Sequence, residues 1–223
     1  MVKRLPFTRA KTREEMRKIQ KALAITKSVF KDMESPFGKT EKKVAKEIRK
    51  IIKSMGGGFS FKPIVASGRN TCFVHHKPDK RIVRKGKPLM LDIGARFRGY
   101  CSDITRMYIP KEDKKIRVLY RSVSGIQKKL IKELRPGIDF REINELYKKL
   151  MERKGYKLKH SIGHGLGLRI HERVGRLETG MVITIEPGVY IKGFGGCRVE
   201  DMVLITRDGF SVLSKSIPEE LTW

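Results

Sequence analysis

Two carboxylates interrupt an otherwise apolar pair of predicted strands, and this feature restricts the fold more than any other part of the chain. The stretch LMLDIGARFRGYCSDITRMYI, residues 89–109, predicts a strand on either side of Arg98 and Gly99, and it carries Asp92 and Asp103. A buried carboxylate is costly to desolvate unless it is paired or holds a metal ion. The fold must therefore supply these two side chains with water, a proton or a cation.

The hairpin predicted for this stretch brings the two carboxylates together. With a two-residue turn, Asp92 lies opposite Thr105 and is a diagonal neighbour of Asp103 on the same face of the ladder. Gly94, directly opposite Asp103, is predicted to leave room above the sheet. Two anions this close repel, so either one is protonated or a cation lies between them. A solvated strand edge is the alternative that this hairpin alone leaves open.

A second pair of predicted strands, near Met181–Ile191 and Cys197–Thr206, repeats the arrangement with Glu186 and Glu200. Its longer connection leaves the register open. The five histidines of the chain fall near these strands in two groups: His75 with His76 in the predicted loop Ser67–Lys80, and His160, His164 and His171. Mostly oxygen ligands with one imidazole suit Mn, Co, Fe or Zn. Two bridging carboxylates among five ligands would hold two such ions.

Each half of the chain is predicted to contain two helices followed by one of these strand pairs. Apolar periodicity and capping residues predict the helices at Thr12–Met33, Thr40–Met55, Glu112–Leu134 and Asp139–Lys154. A further strand is predicted over residues 59–68. The pattern indicates one α+β domain over residues 1–223, pseudo-symmetric, with a site between its halves.

Charge and cysteine content restrict the partners and the compartment. The 51 Lys and Arg residues exceed the 24 Asp and Glu residues and give a net charge of +27, which favours an acidic partner as much as it favours a heavily solvated surface. Three cysteines without a C-x-x-C spacing indicate a reduced, cytoplasmic protein. Neither a signal peptide nor an apolar run long enough to span a membrane is evident, so no membrane partner is predicted.

The motifs LDIGARFRGYCSDITR, GHGLGLRIHE, ITIEPGVYI and GGCRVEDMVLIT resemble those of the pita-bread metallopeptidases, the creatinase and methionine aminopeptidase family. The resemblance implies a curved antiparallel sheet with helices on the outside. It also implies two divalent metal ions per subunit, held by five ligands: Asp92, Asp103, His164, Glu186 and Glu200. In this arrangement Asp103 and Glu200 bridge the ions. Asp92 completes one ion, and His164 with Glu186 completes the other.

Within this family the chain most resembles the catalytic domain of the proline-specific branch, prolidase and aminopeptidase P. Arg198, two residues before the last glutamate, and His160, four before the metal-binding histidine, match that branch. The resemblance implies hydrolysis of the N-terminal Xaa-Pro bond of dipeptides or short peptides. His75 and His160 would hold the leaving side of the substrate, and His171 would stabilise the oxyanion.

The same resemblance implies roles for two residues beside the ions. Glu186 would shuttle the proton to the leaving amine, and Arg198 would hold the inner carboxylates in place. His76 is interpreted as a neighbour of His75 without a role of its own.

Two other functions stay open at this level. A methionine aminopeptidase would use the same five ligands, and the absence of the extra N-terminal domain of full-length proline-specific enzymes favours it. A basic binding module on the same fold, for nucleic acid or the ribosome, is the second, and the charge of +27 favours it. With either enzyme, a peptide is the predicted substrate, nucleic-acid or acidic-surface binding is predicted to be weak and non-specific, and a homodimer is allowed.

Overall fold

Four α-helices form in the part of the chain that the structure, a computed structural model, describes: residues 5–223. They are α1 at Arg13–Asp32, α2 at Glu41–Ser54, α3 at Lys114–Lys132 and α4 at Phe140–Glu152. Thr12 closes the predicted capping box at α1, and Asp139, predicted as the cap of α4, closes a capping box there as well. The third helix is shorter than predicted because Asp113 is its N-cap and accepts the Ile116 N–H. No helix within residues 5–223 combines the length and apolarity that crossing a membrane requires.

The strands are short, and every ladder between them is antiparallel. They are β1 at Gly58–Phe59, β2 at Ile64–Ser67, β3 at Leu89–Ile93, β4 at Ala95–Phe97, β5 at Tyr100–Cys101, β6 at Ile104–Tyr108, β7 at Val182–Ile185, β8 at Gly188–Ile191, β9 at Gly195–Arg198, β10 at Asp201–Thr206 and β11 at Gly209–Val212. The orders are β2-β3-β6, β1-β4-β5, β7-β10-β11 and β8-β9. The single strand predicted over residues 59–68 is wrong, since Pro63 separates β1 from β2.

The first hairpin has the predicted turn and register. Arg98 and Gly99 have φ of 45° and 88°, the left-handed pair that a tight two-residue turn requires, and Asp92 pairs with Thr105. The open space predicted above Gly94 is absent. A Cβ there would clash with the Ser102 carbonyl and with neighbouring side chains, so glycine is needed for a close approach of the chain.

The second hairpin keeps one register across a break in both strands. Ile185 pairs with Asp201 before the break, Gly188 pairs with Arg198 after it, and the Val199 N–H donates to the Pro187 carbonyl at 3.4 Å between them. Glu186 and Glu200 therefore face each other directly, which settles the register that the sequence left open. Each of the two long strands predicted here is divided where its glutamate lies.

The helices cover the outer faces of the two hairpins, and the carboxylates face inward. Leu89, Leu91 and Ile93 lie in an apolar cluster with residues of α1 and α2, whereas Met90 lies in the cluster that contains α3 and α4. Asp92 shares the face of Met90 because successive residues of a strand point to opposite sides. The alternation thus directs this carboxylate toward the middle of the molecule, between the two pseudo-symmetric halves.

Candidate metal centre

One cavity of about 920 Å³ collects the residues that the sequence and the resemblance indicated. Its wall includes His75, Asp92, Asp103, His160, His164, His171, Glu186, Arg198 and Glu200. These residues come from four separate stretches of the chain, so the fold brings them together over long sequence distances. Their chemical roles stay predictions.

The four carboxylates lie in or beside strands and are shielded from water. Asp92 lies within β3, Asp103 in the break between β5 and β6, Glu186 just after β7, and Glu200 in the break before β10. Asp92 is 8% exposed, Asp103 is 5% exposed and Glu200 is 2% exposed. The solvated strand edge is therefore excluded for these three groups.

The backbone of His164 is fixed against strand β7. The Thr184 N–H donates to the His164 carbonyl at 2.8 Å, and the His164 N–H donates to the Thr184 hydroxyl at 3.1 Å. A Cβ on Gly163 would clash with the Thr184 carbonyl, so only glycine allows this approach. The glycine before His164 therefore sets the position of the imidazole.

The ring of His164 turns one nitrogen into the carboxylate cluster. Its Nδ1 lies 3.1 Å from the Gly165 carbonyl, which fixes Nδ1 as the donor, and its Nε2 lies 3.5 Å from both Asp103 Oδ2 and Glu186 Oε1. Ligand atoms of Asp103, His164 and Glu200 all lie within 4.8 Å of one another. An imidazole oriented by a hydrogen bond at its other nitrogen is the usual arrangement of a metal-binding histidine.

Each hairpin supplies a polar side chain that donates a hydrogen bond to a carboxylate of the other hairpin. Arg198, from the second hairpin, donates from Nη2 to Asp92 Oδ2 at 2.6 Å. Thr105, from the first, donates from its hydroxyl to Glu200 Oε2 at 2.9 Å and accepts from Arg198 Nε at 3.1 Å. The two hairpins are thereby joined by one continuous hydrogen-bond network.

Two carboxylate oxygens in this network have no hydrogen-bond donor. Asp92 Oδ1 and Glu200 Oε1 are buried and unpartnered among the described residues. A buried acceptor without a partner costs roughly 1–3 kcal/mol, and more when it is charged. Carboxylate oxygens with free lone pairs beside a histidine nitrogen fit a divalent metal ion.

Burial and mutual repulsion raise the pKa values of the inner carboxylates. Burial raises the pKa of Asp103 well above its ordinary value, and the neighbouring Asp92 adds to the shift. Burial, followed by repulsion from Asp103, likewise raises the pKa of Glu200. For Glu186, burial raises the pKa to about 7. The raised pKa values favour the protonated form of these carboxyl groups when no cation is bound, so a metal ion must compete with protons for them.

His160 lies at the end of a chain of hydrogen bonds. Arg198 Nη1 donates to the Tyr190 hydroxyl at 2.7 Å, and that hydroxyl lies 2.9 Å from His160 Nε2. His160 Nδ1 lies 2.8 Å from the Ser161 carbonyl, so Nδ1 carries the proton and Nε2 accepts from Tyr190. Burial lowers the pKa of His160 to about 4, which keeps the ring neutral.

His171 and His75 differ in their surroundings. The ring of His171 packs edge-on against His164 with 4.3 Å between centroids, and burial lowers the pKa of His171 to about 4. His75 lies on the cavity wall, and its ring makes no hydrogen bond with any residue in 5–223. A ring that is free to bond is available to a ligand in the cavity.

A second group, Glu41, His76 and Asp79, also has the spacing of a metal site, but its carboxylate is saturated. Glu41 accepts from the Ser67 N–H at 2.7 Å, from Asn70 Nδ2 at 3.0 Å and from the Asp79 N–H at 3.1 Å, and it lies 2.7 Å from His76 Nε2. Burial alone would raise the pKa of Glu41, but these hydrogen bonds outweigh it and lower that pKa. We interpret this group as a set of structural hydrogen bonds that fix the position of the loop that carries His75 and His76.

The sequence arguments missed Tyr190 and the holding role of Thr105. Tyr190 follows Gly188 by two residues on β8, and Gly188 pairs with Arg198, so strand alternation could have placed Tyr190 diagonally beside Arg198. Thr105 was placed opposite Asp92, but its partner Glu200 comes from the other hairpin. Contacts between hairpins leave no local signal in the sequence.

The model of metallopeptidase family M24 matches residues 17–207. The chain belongs to this family. Buried, partly unpartnered carboxylates around an imidazole give this M24 chain candidate ligands for a divalent metal ion.

Relatives and solved structures of the M24 family extend over almost the whole chain. An Xaa-Pro dipeptidase of Pyrococcus furiosus is 37% identical over 95% of this chain and 64% of its own length. A dipeptidase structure from Pyrococcus horikoshii has a TM-score of 0.89 at 35% identity, covering 95% of this chain and 63% of that one. An X-Pro aminopeptidase from Thermotoga maritima has a TM-score of 0.89 at 29% identity, with the same coverage.

These neighbours bear out the pita-bread fold that the resemblance implied. The chain spans less than two thirds of the length of the curated relatives that it matches.

Proposed function

We propose that this M24 chain binds two divalent metal ions and hydrolyses the bond before proline in Xaa-Pro dipeptides or short Xaa-Pro peptides. The observation that carries the metal site is the pair of buried oxygens without donors, on Asp92 and Glu200. The specificity is supported by relatives named for Xaa-Pro substrates. In this proposal residues 1–223 act as one catalytic domain.

The proposed ligands are Asp92, Asp103, His164, Glu186 and Glu200. In this proposal Asp103 and Glu200 would be shared by the two ions, Asp92 would complete the site of one, and His164 with Glu186 would complete the site of the other. The burial of Asp103 and Glu200 and the approach of His164 Nε2 to Asp103 and Glu186 support this division. Four carboxylates with one imidazole suit Mn, Co, Fe or Zn.

The reaction needs a proton at the leaving nitrogen, and Glu186 is the proposed carrier. When bound, the ions polarise the scissile carbonyl and lower the pKa of water. The nitrogen of an Xaa-Pro bond, like any amide nitrogen, is a poor leaving group until it has received a proton. Glu186 lies on the cavity wall, and a carboxylate that would hold an ion through one oxygen keeps the other oxygen to carry the proton.

The histidines are proposed to position the substrate. His75, whose ring is free to bond, supplies the polar contact to the leaving residue. His160, whose two nitrogens are engaged by Ser161 and Tyr190, offers the face of its ring to that residue. His171, kept neutral by its lowered pKa, donates its one N–H to the developing oxyanion.

A substrate panel tests the proposal. Purified protein loaded with Mn²⁺ or Co²⁺ is incubated with an Xaa-Pro dipeptide, a longer Xaa-Pro peptide and a Met-Ala peptide, and free amino acids are measured. We expect release from the Xaa-Pro substrates. The variant His160→Ala is expected to lower kcat/KM for them while metal content stays that of the wild type, because the ring contacts the leaving residue rather than an ion.

Two results would reverse the assignment. Release of Met from the Met-Ala peptide with every Xaa-Pro bond intact would favour the methionine aminopeptidase, which the names of the relatives do not favour. Full metal occupancy with no cleavage of any peptide would favour a binding module on the same fold.

A further inference from the structure

A second cavity, of about 1210 Å³, lies on the other side of the loop that carries His75. It shares no lining residue with the carboxylate cavity. Six of its fifteen lining residues are cationic: Lys42, Arg69, Lys80, Arg81, Arg84 and Lys87. We call these six residues the basic cluster. Lys and Arg thus make up a larger share of this lining than of the whole chain, where they are 51 of 223 residues.

The cations of the basic cluster are unneutralised. All six are exposed, and none forms an ion pair with any residue from 5 to 223. The cavity contains two carboxylates, and backbone groups hold both: Asp79 accepts the Arg81 N–H at 2.6 Å, and Asp113 accepts the Ile116 N–H at 3.1 Å as the cap of α3. Six exposed cations against two carboxylates leave the cavity lining with a net charge of +4, which favours a polyanion.

We infer that this cavity binds the phosphate backbone of a single-stranded nucleic acid, a function separate from the proposed peptidase activity. Arginine and lysine side chains pair readily with phosphate oxygens, and the gain comes largely from released counter-ions. A polypeptide carboxylate cluster would offer less regular charge spacing than a phosphodiester chain. The net charge of +27 adds a long-range attraction for the same ligand.

The shape of the cavity selects a single strand. A concave cavity admits a flexible strand, whereas a duplex presents its phosphates on a convex cylinder. Phe194, half-buried, is the aromatic residue of this wall, and we infer that a base stacks against its ring. No element in the cavity has the form of a base-reading motif, so binding is independent of sequence.

The experiment compares two variants that lower the net charge equally. The cavity variant is Arg69→Gln with Arg84→Gln and Lys87→Gln. The control variant is Arg121→Gln with Arg153→Gln and Lys129→Gln, three exposed cations without ion pairs on and beside α3 and α4. All six side chains are exposed, so we expect both variants to fold, which circular dichroism checks. A single change, Arg69→Gln, serves if the triple variant is destabilised.

Binding of a fluorescent oligouridine is measured by anisotropy over a range of salt concentrations. For the cavity variant we expect roughly tenfold or more weaker binding at about 0.1 M salt, and a slope of log K against log salt reduced by about two units, because three phosphate contacts are lost. The control variant should stay within about twofold of the wild type. Equal losses in the two variants, or no binding by the wild type, would overturn the inference.

Two further probes test the ligand class. A duplex of the same length and a polyphosphate of the same charge compete against the labelled strand. Weaker competition by both supports a single strand that uses phosphate contacts and base stacking. A duplex that competes as well as or better than the unlabelled strand would contradict the preference for a single strand. A polyphosphate that competes as well as or better than that strand would contradict base stacking on Phe194.

Discussion

The two hairpins of this M24 chain share one plan but hold their carboxylates differently. In the first, from β3 to β6, Asp92 and Asp103 are diagonal neighbours, and in the second, from β7 to β10, Glu186 and Glu200 face each other. The shorter side chains thus occupy the staggered positions, and the longer ones the opposed positions. The comparison shows that a repeated strand pair can produce a site in which no two ligands are equivalent.

The hairpins also hold each other. Arg198 of the second hairpin donates a hydrogen bond to Asp92 of the first hairpin. Thr105 of the first hairpin donates one to Glu200 of the second. Asp103 and Glu186 instead face His164, which belongs to the connection before the second hairpin. The first half has no counterpart of His164, because its own connection places His75 on the cavity wall without a carboxylate partner.

The largest expected effect comes from removing one carboxylate of each hairpin. If Asp103 and Glu200 both bridge two ions, Asp103→Ala and Glu200→Ala each abolish activity and lower metal content by at least one ion. The loss of activity should exceed the roughly 10–100-fold that loss of an outer-shell partner costs. Elemental analysis and peptide cleavage measure the two quantities. Unchanged metal content in both variants would contradict the site.

The next effect concerns the bond from Arg198 to Asp92. Arg198→Ala leaves the buried Asp92 carboxylate without its cation, and we expect about 3–5 kcal/mol lower free energy of unfolding and roughly 10–100-fold weaker metal binding. Denaturant unfolding and metal titration measure these losses. The matched variant Arg117→Ala removes a more exposed arginine paired with Glu220 and should cost at most about 1 kcal/mol. Equal losses of unfolding free energy in the two variants would show that the buried Arg198–Asp92 pair stabilises the fold no more than the more exposed Arg117–Glu220 pair does.

The third effect is a pH dependence that distinguishes Glu186 from the histidines. The pKa of Glu186 is raised in the folded, metal-free protein, so its contribution to stability is full below about 4.5 and is lost as the pH rises through about 7, on the order of 3 kcal/mol in total. His160 and His171 have lowered pKa values, so their contribution is full above about 6.5 and is lost as the pH falls toward about 4.

Thermal unfolding without metal, from about pH 4 to pH 8, measures this dependence. Glu186→Gln should reduce the fall in Tm as the pH rises toward about 8, and it should leave the fall in Tm toward about pH 4 unchanged. Added Mn²⁺ should raise Tm more at pH 8 than at pH 5, because metal and protons compete for the same carboxylates. An equal rise in Tm at both pH values would show that the protons on these carboxylates do not oppose metal binding.

The smallest effect concerns the reciprocal bond from the first hairpin. Thr105→Val keeps the shape of the side chain but removes the donor to Glu200 and the acceptor from Arg198, so we expect about 1–3 kcal/mol lower free energy of unfolding. Thr206→Val, on the half-buried end of β10, is the control and should be nearly neutral. If Thr105→Val lowers the free energy of unfolding no more than the control does, the hydrogen bond from Thr105 to Glu200 does not contribute to stability.

The sequence by itself determined the parts of this protein that rest on neighbours along the chain. A capping box and apolar periodicity gave α1, the cap residue Asp139 gave the start of α4, and the two-residue turn at Arg98 and Gly99 fixed the register of the first hairpin. These features are local, because hydrogen bonds and steric limits act over a few residues. The breaks in the second hairpin and the clash at Gly94 were not local and were missed.

Only the tertiary structure decided how the site is held. The bond from Arg198 to Asp92 spans 106 positions, and that from Thr105 to Glu200 spans 95 positions. Motif resemblance could name His160 and Arg198, but the chain of bonds through Tyr190 that orients His160 became visible only once the strands were paired. The physical reason is that burial and unsatisfied hydrogen-bonding capacity, which decide where a cation fits, belong to the packed molecule and to no segment of it.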